Sequence, residues 1–392
     1  MDFVVACNWD EQLIPIARQH NVTELFGKLH TDLVGGGRAG FILPSVTRKG
    51  AQRYIRDVQA QGIAFNYLLN GTCLGNQEMT RKGQKELRGL LDWLYGAGVR
   101  WFTVSIPYIA AVIKKAYPDA HVVVSMMAGV ESVETALYWE EQGADVLIVF
   151  NTKDFPFLKA LKECTSLKIE VAANLSCMNR CHQTFYHGNV ASHASNKSGT
   201  GAYSLPVCET RCGHMKVSQP RRIIAGQWIR PEDLHIYEEM GVDRLKILDR
   251  ISPTDQLAKI LDAYTKREFD GNLAELIPGY RQDRVDSYLS TARLPKLIAA
   301  YLKPQLYNVF KAPGFSKRNK TPTFSIDNKK LEGFLQGFIK RDCRHLSCEK
   351  CGWCDKWADK VIRFQPGERE RYLEDAGKNL DELESGSFFE YI

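Results

Sequence analysis

Eight short apolar, β-rich runs punctuate the first 250 positions: FVVAC, TELFGKL, IAFNYLL, WFTVSI, HVVVSM, VLIVF, KIEVAA and RLKIL. Between them, AQRYIRDVQAQG, QKELRGLLDWLYGAG, YIAAVIKKAYP and VETALYWEEQG place apolar residues at three- and four-residue spacing, and Gly or Pro closes each. The first pattern predicts strands, the second amphipathic helices. Eight strands alternating with helices predict an α/β fold: a closed parallel TIM-like (β/α)8 barrel rather than an open doubly wound sheet. No GxGxxG joins a strand to a helix, and GGGRAG at 35–40 lacks that spacing and reads as a flexible loop.

The alternation breaks between KIEVAA and DRLKIL, where an excursion rich in Ser, Asn, Gly, His and Cys intervenes. The βα loops of a barrel build its catalytic face, so an insertion here is expected to cap the mouth. The expected organisation is a barrel over 1–270 with a cysteine-rich insertion at 175–221. An extended arm or linker follows over 271–332, and then a C-terminal cysteine-rich module over 333–392.

Composition narrows the class. Hydrophobic residues make up 44% and charged residues 25%, ordinary for a globular enzyme. The start, MDFVVACNWDEQ, has neither a basic leader nor a long apolar run, and no transmembrane-length run follows; the expectation is a cytoplasmic protein without a membrane span. In that compartment eleven cysteines point to metal ligation rather than disulfides. The net charge of +6 is modest, and KAPGFSKRNK (311–320) is the one basic run with an aromatic beside it, a candidate RNA contact set against a solvated loop.

Eight of the cysteines form two sets. Cys177 and Cys181 make one C-x3-C pair, and Cys208 and Cys212 another. Thiolates select zinc or iron–sulfur clusters. Structural zinc favours C-x2-C knuckles, so the three-residue spacing leans toward a 4Fe-4S cluster, with zinc or unligated thiols as alternatives. The second set, Cys343, Cys348, Cys351 and Cys354, has a C-x2-C-x2-C core like the cluster-binding run of ferredoxins, again with zinc as the alternative. The count is therefore one or two clusters. Cys7, Cys73 and Cys164 are isolated and read as buried structural thiols.

The stretches GRAGFILP, LNGTCLGNQEMTRKGQKELRGLLDWLYGAGV, NLSCMNRCHQTFYHGNVASHAS and WIRPEDLHIYEEMGVDRLKILDR resemble the peptidase U32 family, also called collagenase-like peptidases. The resemblance covers roughly residues 1–270, and the C-terminal cysteine module looks like an extension of one branch. It implies a 4Fe-4S cluster held by Cys177, Cys181, Cys208 and Cys212. It also implies oxygen-independent hydroxylation of the kind that family members perform on the ubiquinone ring or on RNA pyrimidines, with prephenate as oxygen donor. KILDR matches a KIEGR-like family motif, with Asp249 in place of the commoner residue and Arg250 retained.

Polar residues at predicted strand ends, Asn8, Asn70, Ser105, Ser125, Asn151, Asn174, Asp249 and Arg250, form a candidate ring for a polar or carboxylate-bearing substrate, with Arg250 as a bidentate fork. Asp249 could instead pair with Arg244 or Arg250 for stability alone. His187 and His193, in the cysteine loop, are candidate proton carriers beside Asp249 and Arg250. No HExxH or GxSxG supports a protease, although a Cys7 or Cys73 thiol paired with His187 stays open. The leading expectation is an iron–sulfur redox or hydroxylating enzyme acting on a small molecule, peptide or RNA, served by an electron donor and open to a partner subunit. The alternatives are a peptidase and a non-catalytic, metal-stabilised assembly subunit.

Overall fold

A computed structural model describes residues 1–196, 204–281 and 306–391, with positions 299 and 302 isolated between the last two stretches. These residues group into two compact units: Met1–Asn174, His182–Ser204 and Trp228–Phe269 in the first, and Leu175–Cys181, Leu205–Gln227 and Asp270–Ile392 in the second.

The first unit is the barrel. Its strands are β1 (Asp2–Ala6), β2 (Val22–Gly27), β3 (Ala64–Leu69), β4 (Trp101–Val104), β5 (His121–Val124), β6 (Val146–Val149), β7 (Lys168–Ala172) and β8 (Arg244–Ile247). They close in sequence order, and β8 pairs parallel to β1 with Asp2 opposite Arg244. All eight fall on the runs expected from the sequence. Helices follow most strands, and side chains cap several: Thr47 accepts from Gly50 N at 3.0 Å, Thr80 from Gly83 N at 2.9 Å and Ser132 from Thr135 N at 3.2 Å. Such a cap is worth about 1 kcal/mol.

The barrel interior departs from the usual branched aliphatic filling. Glu24, Asn66, Glu170, Arg244 and Lys246 are all buried there. Arg244 lies 2.8 Å from Glu24 and 2.9 Å from Glu170, off the hydrogen-bond line, and Lys246 donates to Glu170 at 2.8 Å. Asn66 links the layer sideways, donating to Glu24 at 2.9 Å and accepting from Thr103 at 2.8 Å. Arg244 also stacks over Trp101 and Lys246 over Phe26. The expected Asp249–Arg244 pair is corrected by this layer: the carboxylates on Arg244 are those of Glu24 and Glu170.

The second unit packs the helix Val207–Ser218 against the helix Glu368–Glu384 around Val217, Tyr372 and Ala376. Arg369 caps the end of the former, donating to the carbonyls of Val217 at 3.1 Å and Ser218 at 3.2 Å. Gly213 is small because the Tyr372 hydroxyl occupies the place a Cβ would take. Part of the segment read as an arm, 282–298, 300–301 and 303–305, lies outside the described residues. Its remainder carries a helix, Ala312–Arg318, and a strand, Phe324–Ile326, antiparallel to Ile362–Phe364. The basic run sits largely on that helix, with Arg318 donating to Asn379 at 2.8 Å and Glu382 at 2.6 Å, and Lys311 to the Ser387 carbonyl at 2.6 Å.

Candidate active site

The mouth of the barrel is closed by loops that hold one another. The GGG segment, read from sequence as flexible, is tied down, with Gly35 and Gly36 buried: Gly35 N donates to Asp32 at 2.7 Å, and Gly36 N to Ser195 Oγ at 2.8 Å. Ser195 follows the helix α7 (Thr184–His193), whose Ser192 accepts from Thr72 N at 2.8 Å, while Asn196 donates to the Cys73 carbonyl at 2.9 Å. Helix α7 therefore lies on the loops after β2 and β3. His187 and His193 are half-buried on it.

Lys28 and Asp32, which the sequence reading missed, form the most enclosed polar group at the mouth. Lys28 is 1% exposed and donates to Asp32 at 3.1 Å. The other Asp32 oxygen accepts from the Tyr67 hydroxyl at 2.9 Å, and that hydroxyl accepts from Leu29 N at 3.1 Å. Burial lowers the affinity of Lys28 for its proton; Asp32 opposes this and Arg250 adds to it. The signal for this group was the KLHTD stretch after β2, whose lysine and aspartate are four apart.

Of the expected ring, Asn70, Ser105 and Ser125 come together. Ser105 donates to the Asn70 carbonyl at 3.1 Å, and Asn70 Nδ2 reaches Ser125 at 3.4 Å, while Asn70 Oδ1 is buried without a hydrogen-bond partner among the described residues. Asn151 donates to Glu131 at 3.1 Å. Asn174 spends both ends of its amide on Leu248, donating to its carbonyl at 3.0 Å and accepting from its amide at 2.7 Å, so it ties the end of β7 to that of β8. Asn8 similarly holds Ser252 and Thr254.

Asp249 has a φ of 145°, a conformation that favours glycine, which accounts for the irregular chain path into Arg250. Its carboxylate accepts from Ser252 Oγ at 3.1 Å. Arg250 is buried, and its guanidinium is depressed to about 10 by burial and by the nearby Arg38, with Asp249 opposing. Beside the β2 loop a groove of about 850 Å³ opens, lined in part by His30, Arg48, Lys82 and Lys85.

All eight clustered cysteines belong to the second unit. Burial pushes the Cys208 thiol up to about 12, and the neighbouring Glu209, Cys181 and Cys212 push the same way. Burial works against the charge on Lys216, but Cys212, Tyr280 and Cys177 together raise its affinity for the proton. Cys208 thus has Cys181 and Cys212 as neighbours, and Lys216 has Cys212 and Cys177. In the second set, one turn of helix, Cys348–Cys351, ends at Gly352 in the left-handed conformation, and the next helix starts at Trp353. Burial raises the Cys343 thiol, and Cys351 and Cys348 add to it, while Arg180 opposes. Among the described residues, no three His, Cys, Asp or Glu side chains stand at metal-holding distance. The fit to a cluster therefore rests on the donor chemistry, four thiols in each set. Cys7 is buried as expected, Cys73 is half-buried, and Cys164 is exposed, which corrects its core assignment: α6 (Phe155–Cys164) turns its apolar face inward through Phe157, Leu158 and Leu161 and ends beyond it.

Comparison with known proteins places this arrangement. The model of peptidase family U32 matches residues 63–286, more than half of the chain. An uncharacterised protease of Methanocaldococcus jannaschii, MJ1657, is 25% identical over 340 residues, which cover 85% of this chain and 87% of that protein. Among solved structures, the U32 peptidase Mk0906 is 22% identical with a TM-score of 0.48, covering 64% of this chain and 92% of that one. The phosphoribosylanthranilate isomerase of Pyrococcus furiosus gives 10% and 0.35, covering 68% and 98%. A chain with this barrel and this match belongs to peptidase family U32.

Proposed function

We propose that the chain is an iron–sulfur enzyme in which Cys177, Cys181, Cys208 and Cys212 hold a 4Fe-4S cluster, with oxygen-independent hydroxylation or a related redox modification as its reaction. The observation that carries this reading is that two separate chain segments bring four thiols into one unit, with Cys181 and Cys212 near Cys208, and Cys212 and Cys177 near Lys216. A bound cluster would supply one-electron chemistry. The chain's own part is to keep a cation, Lys216, beside thiolates whose negative charge it offsets, and to seat the substrate on the polar side chains of the mouth. Cys343, Cys348, Cys351 and Cys354 supply a second set of four thiols, for a second cluster or zinc.

The peptidase activity in the relatives' names needs a nucleophile. Cys7 is poorly suited, because burial holds its thiol protonated and the thiolate is the attacking form. Anaerobic purification with iron and sulfide counting tests the proposal. About four of each per chain mean one cluster and about eight mean two. Cys208→Ser is expected to lower the count by one cluster. Zinc without sulfide, or gelatin hydrolysis by iron-depleted protein, would overturn the redox reading.

A further inference from the structure

The C-terminal cysteine set meets solvent differently from the first. Cys348 is exposed, and so are residues 344–350 around it. Cys208 of the first set is 1% exposed, and its three companions are half-buried. Beneath the exposed loop the C-terminal set has a packed base. Trp353, between Cys351 and Cys354, puts its indole nitrogen where a Cβ on Gly337 would lie and donates from it to the Phe334 carbonyl at 3.1 Å. Trp357 meets Phe334 edge-on at 5.6 Å. The chain that carries these thiols is therefore anchored by aromatic rings on one side and open to a visitor along its loop.

The inner side leads to the first set. The helix Trp353–Val361, which bears Cys354, packs on the short helix Arg221–Ile224, and Arg221 lies 3.5 Å from Asp355. That short helix packs in turn on Val207–Ser218, which bears Cys208 and Cys212. Arg222 donates to Met178 Sδ at 3.9 Å, one residue from Cys177. Gln227, shortly after the same helix, donates from its backbone to the Cys177 carbonyl at 2.8 Å. Arg180 adds a direct link: it neighbours Cys181 in the chain, and its charge stands near enough to Cys343 to favour the thiolate there. All of these segments belong to the second unit.

We propose that the C-terminal module is an electron-entry domain for the first cysteine set. Cys343, Cys348, Cys351 and Cys354 hold a second iron–sulfur centre, which takes one electron from an acidic carrier protein and yields it to the first. The inference rests on the iron–sulfur reading of the first set. The carrier, a flavin or iron–sulfur protein, is oxidised by one electron as the outer centre is reduced. The outer centre is reoxidised as the inner one gains that electron, and no bond or proton changes hands. Zinc has no redox chemistry and would end the path. Charge selects the carrier. Lys340, Arg341, Lys350, Lys356 and Lys360 form no ion pair among the described residues. Asp342 is taken by His345 and Asp355 by Arg221, so Glu349 and Asp359 are the carboxylates of this stretch left to balance them. Excess positive charge around an exposed centre steers an acidic partner into a small, brief encounter.

Full-length protein purified anaerobically is mixed with a reduced, acidic two-cluster ferredoxin as the probe. Iron, sulfide, zinc and electron paramagnetic resonance are read on each sample. About eight iron and eight sulfide per chain, with the two reduced centres broadening each other's resonance, is the expected result. Cys348→Ser should keep about four iron, lose the broadening and slow ferredoxin reduction of the first centre roughly tenfold, while dithionite still reduces it. The double variant Lys350→Glu, Lys356→Glu alters no cysteine and carries the test if Cys348→Ser fails to fold. It should slow the same step roughly tenfold at low salt and less at high salt. About four iron with about one zinc per chain would overturn the entry path and leave the first-set reading standing. About eight iron with unbroadened resonances, and equal ferredoxin rates in all three proteins, would also overturn the entry path alone. Protein without iron or sulfide would overturn both.

Discussion

Cys7 follows β1 with its thiol buried, and burial raises it from 9.0 to about 12. Between those values the unfolded chain sheds a proton that the folded chain keeps. The contribution of the thiol is therefore intact below pH 9 and is lost as pH rises through about 12. The stability of the native protein relative to Cys7→Ala is expected to shrink by about 1.4 kcal/mol at pH 10, read from denaturant melts at pH 8 and 10. A constant difference across that range would show that Cys7 ionises in place. At this scale the sequence was informative about position and poor about surroundings. Asn70, Asn174 and Arg250 all follow strands as expected, yet Asn174 binds backbone at both ends while Arg250 Nη1 has no hydrogen-bond partner among the described residues. Which neighbour a side chain meets depends on loops far away in sequence, and no local pattern records it.

Among the elements, the strands were the most legible, because each crosses the sheet as a short β-branched run and a helix of clear period follows most of them. The charged layer inside the barrel was not legible: Glu24, Glu170, Arg244 and Lys246 interrupt those runs singly and look like ordinary solvated positions until the barrel closes. Removing one member strands the others, so Glu170→Ala is expected to cost about 3–5 kcal/mol in urea melts, whereas replacing a complete set with fitted apolar residues would be far milder. A loss under 1 kcal/mol would mean water enters the layer. Helix α7 makes a second case. Ser195, just beyond its end, is buried and holds the Gly36 amide at 2.8 Å. Ser195→Ala leaves that amide unsatisfied at about 1–3 kcal/mol. Faster hydrogen exchange at residues 35–37 and 184–196, with the remaining barrel amides unchanged, is the expected result.

At the scale of the whole molecule, the second unit is assembled from three stretches of chain, Leu175–Cys181, Leu205–Gln227 and Asp270–Ile392. No periodicity announces such a grouping, since it depends on packing such as Val217 against Tyr372 and Ala376. A chain ending at residue 332 would expose that apolar surface of the helix Val207–Ser218. It is expected to aggregate and to lose iron at the first cysteine set as well as the second. A monomeric truncation with its first cluster intact would show that the helix needs no such cover. The interleaving also orders events at the ribosome. Cys177 and Cys181 emerge early, but the helix that covers their neighbours, Glu368–Glu384, is synthesised close to two hundred residues later. At translation speeds of about 5–20 residues per second, these thiols wait roughly ten to forty seconds in an unfinished chain. Oxidants and stray metals have that interval in which to reach them, so the yield of correctly loaded protein should depend on how fast the residues between Cys181 and Glu368 are made.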